Sequence, residues 1–143
     1  MDEDLLGRAI ALSREKMQSD GGGPFGAVVA RGPDVVADGW NQVTSTNDPT
    51  AHAEVVAIRR AAKALGTFDL SGCTLYASTE PCPMCFAAAH WARIDKIVFA
   101  NDRHGAAEVG FDDALLHAQM AVPLGDRTVE MIHAPREEAA DVL

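Results

Sequence analysis

Basic residues are scarce in this chain. Twelve Lys and Arg stand against 21 Asp and Glu, a formal net charge of −9. Gripping nucleic acid takes a basic face, because phosphate neutralisation supplies most of the affinity. Arg59, Arg60 and Lys63 fall on one predicted helix, and three cations so placed read as a solvated helix face. A small diffusible partner is therefore expected, and no nucleic acid. The sequence also lacks an apolar run of about 18 residues, the least a membrane helix needs, so no membrane is expected as a partner. Its opening, MDEDLLGRAI, is acidic where a secretory signal is basic and then apolar; a cytoplasmic location is expected. Cysteine is limited to positions 73, 82 and 85. An odd number, with two of them close together, argues for metal or catalysis ahead of a disulfide framework.

What is present is ordinary globular material: 143 residues, 48% hydrophobic and 23% charged, enough for one buried core. The residues predict one domain over 1–143. Leu5, Leu6, Ala9, Ile10, Leu12 and Met17 repeat with helical spacing from Asp4 to Met17, and DGGGP at 20–24 ends the run. FGAVVA and DVVADGW read as an antiparallel hairpin about the turn RGPD. NQVTSTNDPT is polar and loop-like. Ala51 to Leu65 is helical, with Gly66 as the stop. TLYAS, KIVFA and RTVEMIHA read as strands, PMCFAAAHWA and DDALLHAQM as helices, and the last residues as a polar helix or tail. The order α, β-hairpin, α-β-α-β-α-β predicts an α/β sandwich, a five-stranded mixed sheet with helices on both faces.

The chemistry lies in HAE, residues 52–54, and EPCPMC, residues 80–85. Pro83 biases Cys82 away from helical backbone and itself suits the first helical position. Cys82 and Cys85 then sit at a helix N-terminus, where unpaired N–H groups and the dipole favour thiolate, the zinc-binding form. His52 and Glu54 would point apart in mid-helix; after the turn residues NDPT they can both lean over a helix start. Three ligands, His52, Cys82 and Cys85, leave a position open for water, as in catalytic zinc sites. Neither Cys73 nor His90 has good spacing for a fourth. Zinc lowers the pKa of bound water to about 7, and Glu54 is placed to carry its proton. The competing readings are a core histidine, a surface carboxylate and a redox pair. The joint pattern H-x-E with P-C-x-x-C is the mark of zinc-dependent base deaminases.

On these motifs the sequence resembles the cytidine deaminase-like superfamily, and its bacterial guanine deaminase branch most closely. The resemblance runs through GGPFGAVVA (22–30), residues 39–66 with NDPTAHAE, residues 75–100 and EVGFDDALL (108–116). It implies a three-layer α/β/α fold, one Zn2+ per subunit and a homodimer. It implies hydrolytic deamination of a nucleobase by zinc-bound hydroxide, guanine giving xanthine and ammonia. Cytosine, a nucleoside or an aminotriazine are the alternative substrates; a tRNA adenosine deaminase and a non-catalytic zinc scaffold are the competing classes. By matching position, His52, Cys82 and Cys85 would hold zinc and Glu54 would shuttle protons. Phe25, Asn41 and Asp113 would contact the base, Asp113 as acceptor for ring N–H donors. Against these stand a core Phe25, a turn-capping Asn41 and a helix-capping Asp113. Trp91 reads as packing or dimer contact. The branch closes its pocket with an aromatic tail residue, but no Phe, Tyr or Trp follows Phe111 here. A different lid or a more open pocket is expected.

Overall fold

The computed structural model describes residues 2–20 and 23–143. Gly21 and Gly22, within the expected break at 20–24, lie outside them. Two compact units are present, residues 1–112 and 113–143.

In the first unit, α1 (Asp2–Asp20) precedes β1 (Gly26–Arg31) and β2 (Asp34–Trp40). A short α2 (Val43–Thr46) follows, then α3 (Ala53–Leu65), β3 (Thr74–Thr79), α4 (Pro83–Trp91), β4 (Lys96–Asn101) and α5 (Arg103–Glu108). The sheet order is β2-β1-β3-β4. β1 runs antiparallel to both β2 and β3, and β3 runs parallel to β4. The hairpin predicted from RGPD forms, with Arg31 opposite Asp34 and a bulge between Val29 and Ala30.

Alternation along β1 divides the core into two. Ala27 and Val29 join Leu75, Ala53, Ala57, Ala61, Leu70, Cys73 and Ala89 on the face covered by α3 and α4. Val28 and Ala30 join Tyr76, Ala9 and Leu12 on the face covered by α1. This is an α/β/α arrangement built on the two-residue period of a strand. The stripe on α1 is narrower than the periodicity suggested: Ile10 and Met17 are exposed. Lys16 instead lies over the Trp40 ring, 4.3 Å from its centre. Asp38 of β2 ties both layers, meeting Arg8 of α1 at 2.9 Å and Arg60 of α3 at 3.2 Å.

The helices approach very closely at two glycines. A Cβ on Gly39 would run into the carbonyl oxygen of Ala53 and lie 2.6 Å from the backbone nitrogen of Ala57, both on α3. A Cβ on Gly26 would strike Ala9 and lie 2.8 Å from the backbone nitrogen of Ser13 on α1. Only glycine permits such contact of helix backbone with strand.

The second unit holds α6 (Ala114–Met120), a 3-10 turn (Leu124–Asp126) and α7 (Glu137–Ala140). The fifth strand expected at 127–134 is absent: among the described residues the sheet has four strands. Val129 and Ile132 are exposed, at 76% and 78%. Strand character in RTVEMIHA is a preference for a half-buried pleated surface, and without a hydrogen-bonded neighbour that preference is not realised. α2, inside the expected loop, and α5 are further differences. No described helix is long and apolar enough to cross a membrane.

Candidate metal centre

Two helix starts build the site. His52 is the N-cap of α3, with extended backbone (φ −66°, ψ 155°), and Glu54 lies in that helix's first turn. Cys82 is the N-cap of α4 (φ −65°, ψ 169°), and Pro83 opens the helix as its sequence position suggested. Neither residue makes a side-chain cap hydrogen bond; the Cys82 thiol meets Cys85, in the first turn of α4, instead. Both ligand side chains thus stand at the start of a helix, where the dipole favours negative charge.

His52 Nδ1 lies 3.6 Å from the Cys82 sulfur and 3.6 Å from the Cys85 sulfur. A nitrogen at a zinc–nitrogen bond length and a sulfur at a zinc–sulfur bond length, held at the tetrahedral angle, are about 3.6 Å apart. The donor atoms of all three residues lie within 4.8 Å of one another. One ring nitrogen cannot serve two sulfurs equally well by hydrogen bonding, whereas three ligands of one ion stand in this relation. A soft N/S2 set suits zinc.

The electrostatics agree. The Cys82 thiol is lowered to about 4, first by its hydrogen bond with Cys85 and also by His52. Cys85 is pushed up by the same hydrogen bond and by burial. Among protein groups alone, the two thiols thus share one negative charge; a divalent cation favours the second thiolate as well. The hydrogen bond with Cys82 raises His52, against its own burial. Burial raises the Glu54 carboxyl, which is only 7% exposed.

The remaining expected residues divide. Cys73 is buried in the core, as a small apolar thiol. His90 Nδ1 lies 2.9 Å from the Phe86 carbonyl oxygen of its own helix, away from the ligand group. The Asn41 Oδ1 accepts from Val43 N–H at 3.0 Å, which is the turn-capping role. Its backbone N–H donates to the Phe25 carbonyl at 3.4 Å, and Gln42 N–H donates to Ala51 O at 2.9 Å. These bonds set the Phe25–Asn41 end of the hairpin beside the segment that enters His52. Trp91 is 86% exposed. Asp113 opens α6 in the second unit. Sequence reasoning gave no role to Phe111, whose ring stands edge-on to Phe25 at 5.0 Å and 88°. An aromatic placed directly after Gly110, at φ 99°, was the available signal. It also missed Glu80, whose carboxylate accepts from Arg103 N–H at 2.9 Å and joins the approach to Cys82 to the start of α5.

A family model, the cytidine and deoxycytidylate deaminase zinc-binding region, matches residues 1–101. The chain belongs to this family. Within the zinc-binding deaminases, it is 47% identical to guanine deaminase of Bacillus subtilis (strain 168), over 89% of this chain and 81% of that one. The crystal structure of guanine deaminase from Bacillus subtilis superposes with a TM-score of 0.95 at 44% identity, covering 98% of this chain and 89% of the other. Guanine deaminase from Nitrosomonas europaea gives a TM-score of 0.73 at 34% identity, over 76% of this chain and 63% of that one. The tRNA-specific adenosine deaminase of Aquifex aeolicus is 34% identical over 94% of this chain and 87% of its own length.

Proposed function

We propose that the protein is a zinc-dependent guanine deaminase that converts guanine and water to xanthine and ammonia. One observation carries the reading: His52, Cys82 and Cys85 stand at zinc-ligand separations around a buried Glu54, in a chain 47% identical to a guanine deaminase.

His52, Cys82 and Cys85 would hold zinc, which would supply a Lewis acid able to lower the pKa of water to about 7. Glu54 accepts the water's proton and returns it to the exocyclic nitrogen. The water oxygen adds to the ring carbon, pushing the C=N electron pair onto the ring nitrogen; that pair then returns as the bond to the exocyclic amine breaks, and ammonia leaves. A carrier must both take and give a proton near working pH, and burial moves the Glu54 carboxyl upward in that direction. Phe25 and Asn41 contact the base. Asp113 accepts from its ring N–H donors, so a base offering acceptors there leaves a carboxylate unpaired and is rejected. Residues 1–143 act as one deaminase domain in the cytoplasm. The working form is a homodimer, a reading supported by the exposure of Trp91 and Phe86, 86% and 53%; a monomer in sedimentation would refute it.

The deciding experiment is ammonia release from zinc-loaded protein offered guanine, cytosine, guanosine or tRNA. Guanine is expected to be turned over; its inertness beside turnover of another base would overturn the substrate and leave the chemistry standing. The 34% identity to a tRNA-specific adenosine deaminase favours a second reading as an RNA deaminase. A net charge of −9 opposes it, and deamination of tRNA in the same assay would establish it.

A further inference from the structure

Glu80 is the first residue after β3, on the way to the cysteines, and it is tied twice to one stretch of chain. The parallel pairing of β3 with β4 ends with Thr79 opposite Asn101. Glu80 N–H then donates to the Asn101 carbonyl at 2.6 Å, and Arg103 N–H donates to the Glu80 carboxylate at 2.9 Å. A residue held at its backbone alone can swing about that bond. A second tie, from its side chain to the backbone two residues further on, fixes its direction as well. The carboxylate bond is part-buried and spans 23 residues of sequence. Helix α5 has a cap without it: the Asp102 side chain accepts from Gly105 N–H at 2.8 Å. What the bond adds therefore lies on the Glu80 side. Only Pro81, which is buried, stands between Glu80 and Cys82. A proline ring fixes φ near −65°, so the path from Glu80 to the Cys82 backbone is short and stiff.

We propose that Glu80 is a positioning residue for the metal centre: its carboxylate, anchored on the start of α5, sets where the Cys82 N-cap stands opposite His52. The inference rests on the reading of His52, Cys82 and Cys85 as zinc ligands. The Cys82 sulfur lies 3.6 Å from His52 Nδ1, a separation that joins two helix starts carried by different segments. His52 is set by the turn before it, where Asp48 accepts from Thr50 N–H at 2.9 Å. Cys82 has a proline on either side, and neither has an N–H to donate. Its place is set downstream by α4, where its carbonyl accepts from Phe86 N–H at 2.8 Å, and upstream by Glu80. Ligands held in place before the ion arrives lose less freedom on binding it.

Zinc affinity of the full chain, read by competition with a chromophoric chelator, tests this beside the urea midpoint of the metal-free protein. Glu80→Ala removes the acceptor and is expected to weaken zinc binding roughly tenfold, the lower end for partners that stand behind a ligand. Glu80→Gln keeps an acceptor oxygen at the same reach and is expected to recover most of that loss. Asp102→Ala removes the local cap of α5 and leaves the Glu80 anchor, so a lower urea midpoint is expected with zinc affinity kept. Should the alanine variant at position 80 fail to fold, Glu80→Asp, which withdraws the carboxylate by one methylene, is expected to show the same weakening. Parental zinc affinity in Glu80→Ala, beside lost binding in Cys82→Ala, would overturn the inference and spare the ligand reading. Absence of recovery with Gln would overturn it too, as would an equal loss in Asp102→Ala, which would place the effect in the stability of α5. Zinc bound by Cys82→Ala as tightly as by the parent would overturn the ligand reading, and this inference with it.

Discussion

Gly39→Ala adds one methyl group where β2 touches the helix that carries Glu54. The new carbon would collide with the Ala53 carbonyl oxygen and stand 2.6 Å from the Ala57 nitrogen, where ordinary van der Waals contact begins at 3.4 Å. The obstructing atoms are backbone, so no side-chain rotation relieves the overlap. α3 must retreat from the sheet by at least about 0.8 Å, the shortfall at Ala57, with the Ala53 oxygen closer still. Overpacking of this kind costs about 1–3 kcal/mol of stability. The first turn of α3 moves with the rest, taking His52 and Glu54 away from the cysteines on α4. Misplacement on the order of 1 Å can cost roughly a hundredfold in rate. The assays are urea unfolding of the zinc-loaded protein, metal content, and kcat/KM for guanine. Two controls use the same substitution elsewhere. Gly26→Ala crowds α1, so comparable destabilisation is expected with kcat/KM largely kept. Gly7→Ala, within α1 with nothing inside 4 Å of the added carbon, is expected to stabilise by about 0.5–1 kcal/mol. A Gly39→Ala protein with parental stability and parental kcat/KM would refute the argument that this contact sets the position of α3.

Other outcomes follow from the site. Glu54→Gln is expected to lower kcat by at least about a hundredfold with zinc content unchanged, measured by ammonia release and metal analysis; loss of the metal would make Glu54 a ligand. Cys82→Ala and Cys85→Ala are each expected to lose zinc. Saturating zinc at about a hundred times its Kd stabilises by roughly 2.7 kcal/mol, so chelation should lower the parent's melting temperature and leave these variants unmoved. Asp48, in the turn before His52, has its carboxyl held below the ordinary 3.8, first by the Thr50 hydroxyl and then by the Thr50 backbone N–H. The unfolded chain takes up that proton more readily, so this stabilisation is present above pH 3.8 and is lost as pH falls through the folded value. Thr50→Val is expected to move the Asp48 titration, followed by NMR, upward toward 3.8; an unmoved curve would mean the hydroxyl does not set it.

The metal ligands were legible in the sequence because their geometry is local. A proline after Cys82 fixes an N-cap followed by a helix, and a ligand three residues on must then face the same helix end. NDPT before His52 does the same for α3, through the Asp48–Thr50 turn. The strands from Gly26 to Asn101 were legible for a related reason: alternation along β1 sorts its residues onto two faces whatever lies beyond. Where a structure depends on distant partners, local pattern misleads. RTVEMIHA alternates well and forms no strand, because a ladder needs a neighbour that the segment itself does not encode. Ile10 and Met17 carried the right period on α1, yet the close approach at Gly26 fixes which face of that helix meets the sheet and turns those two outward.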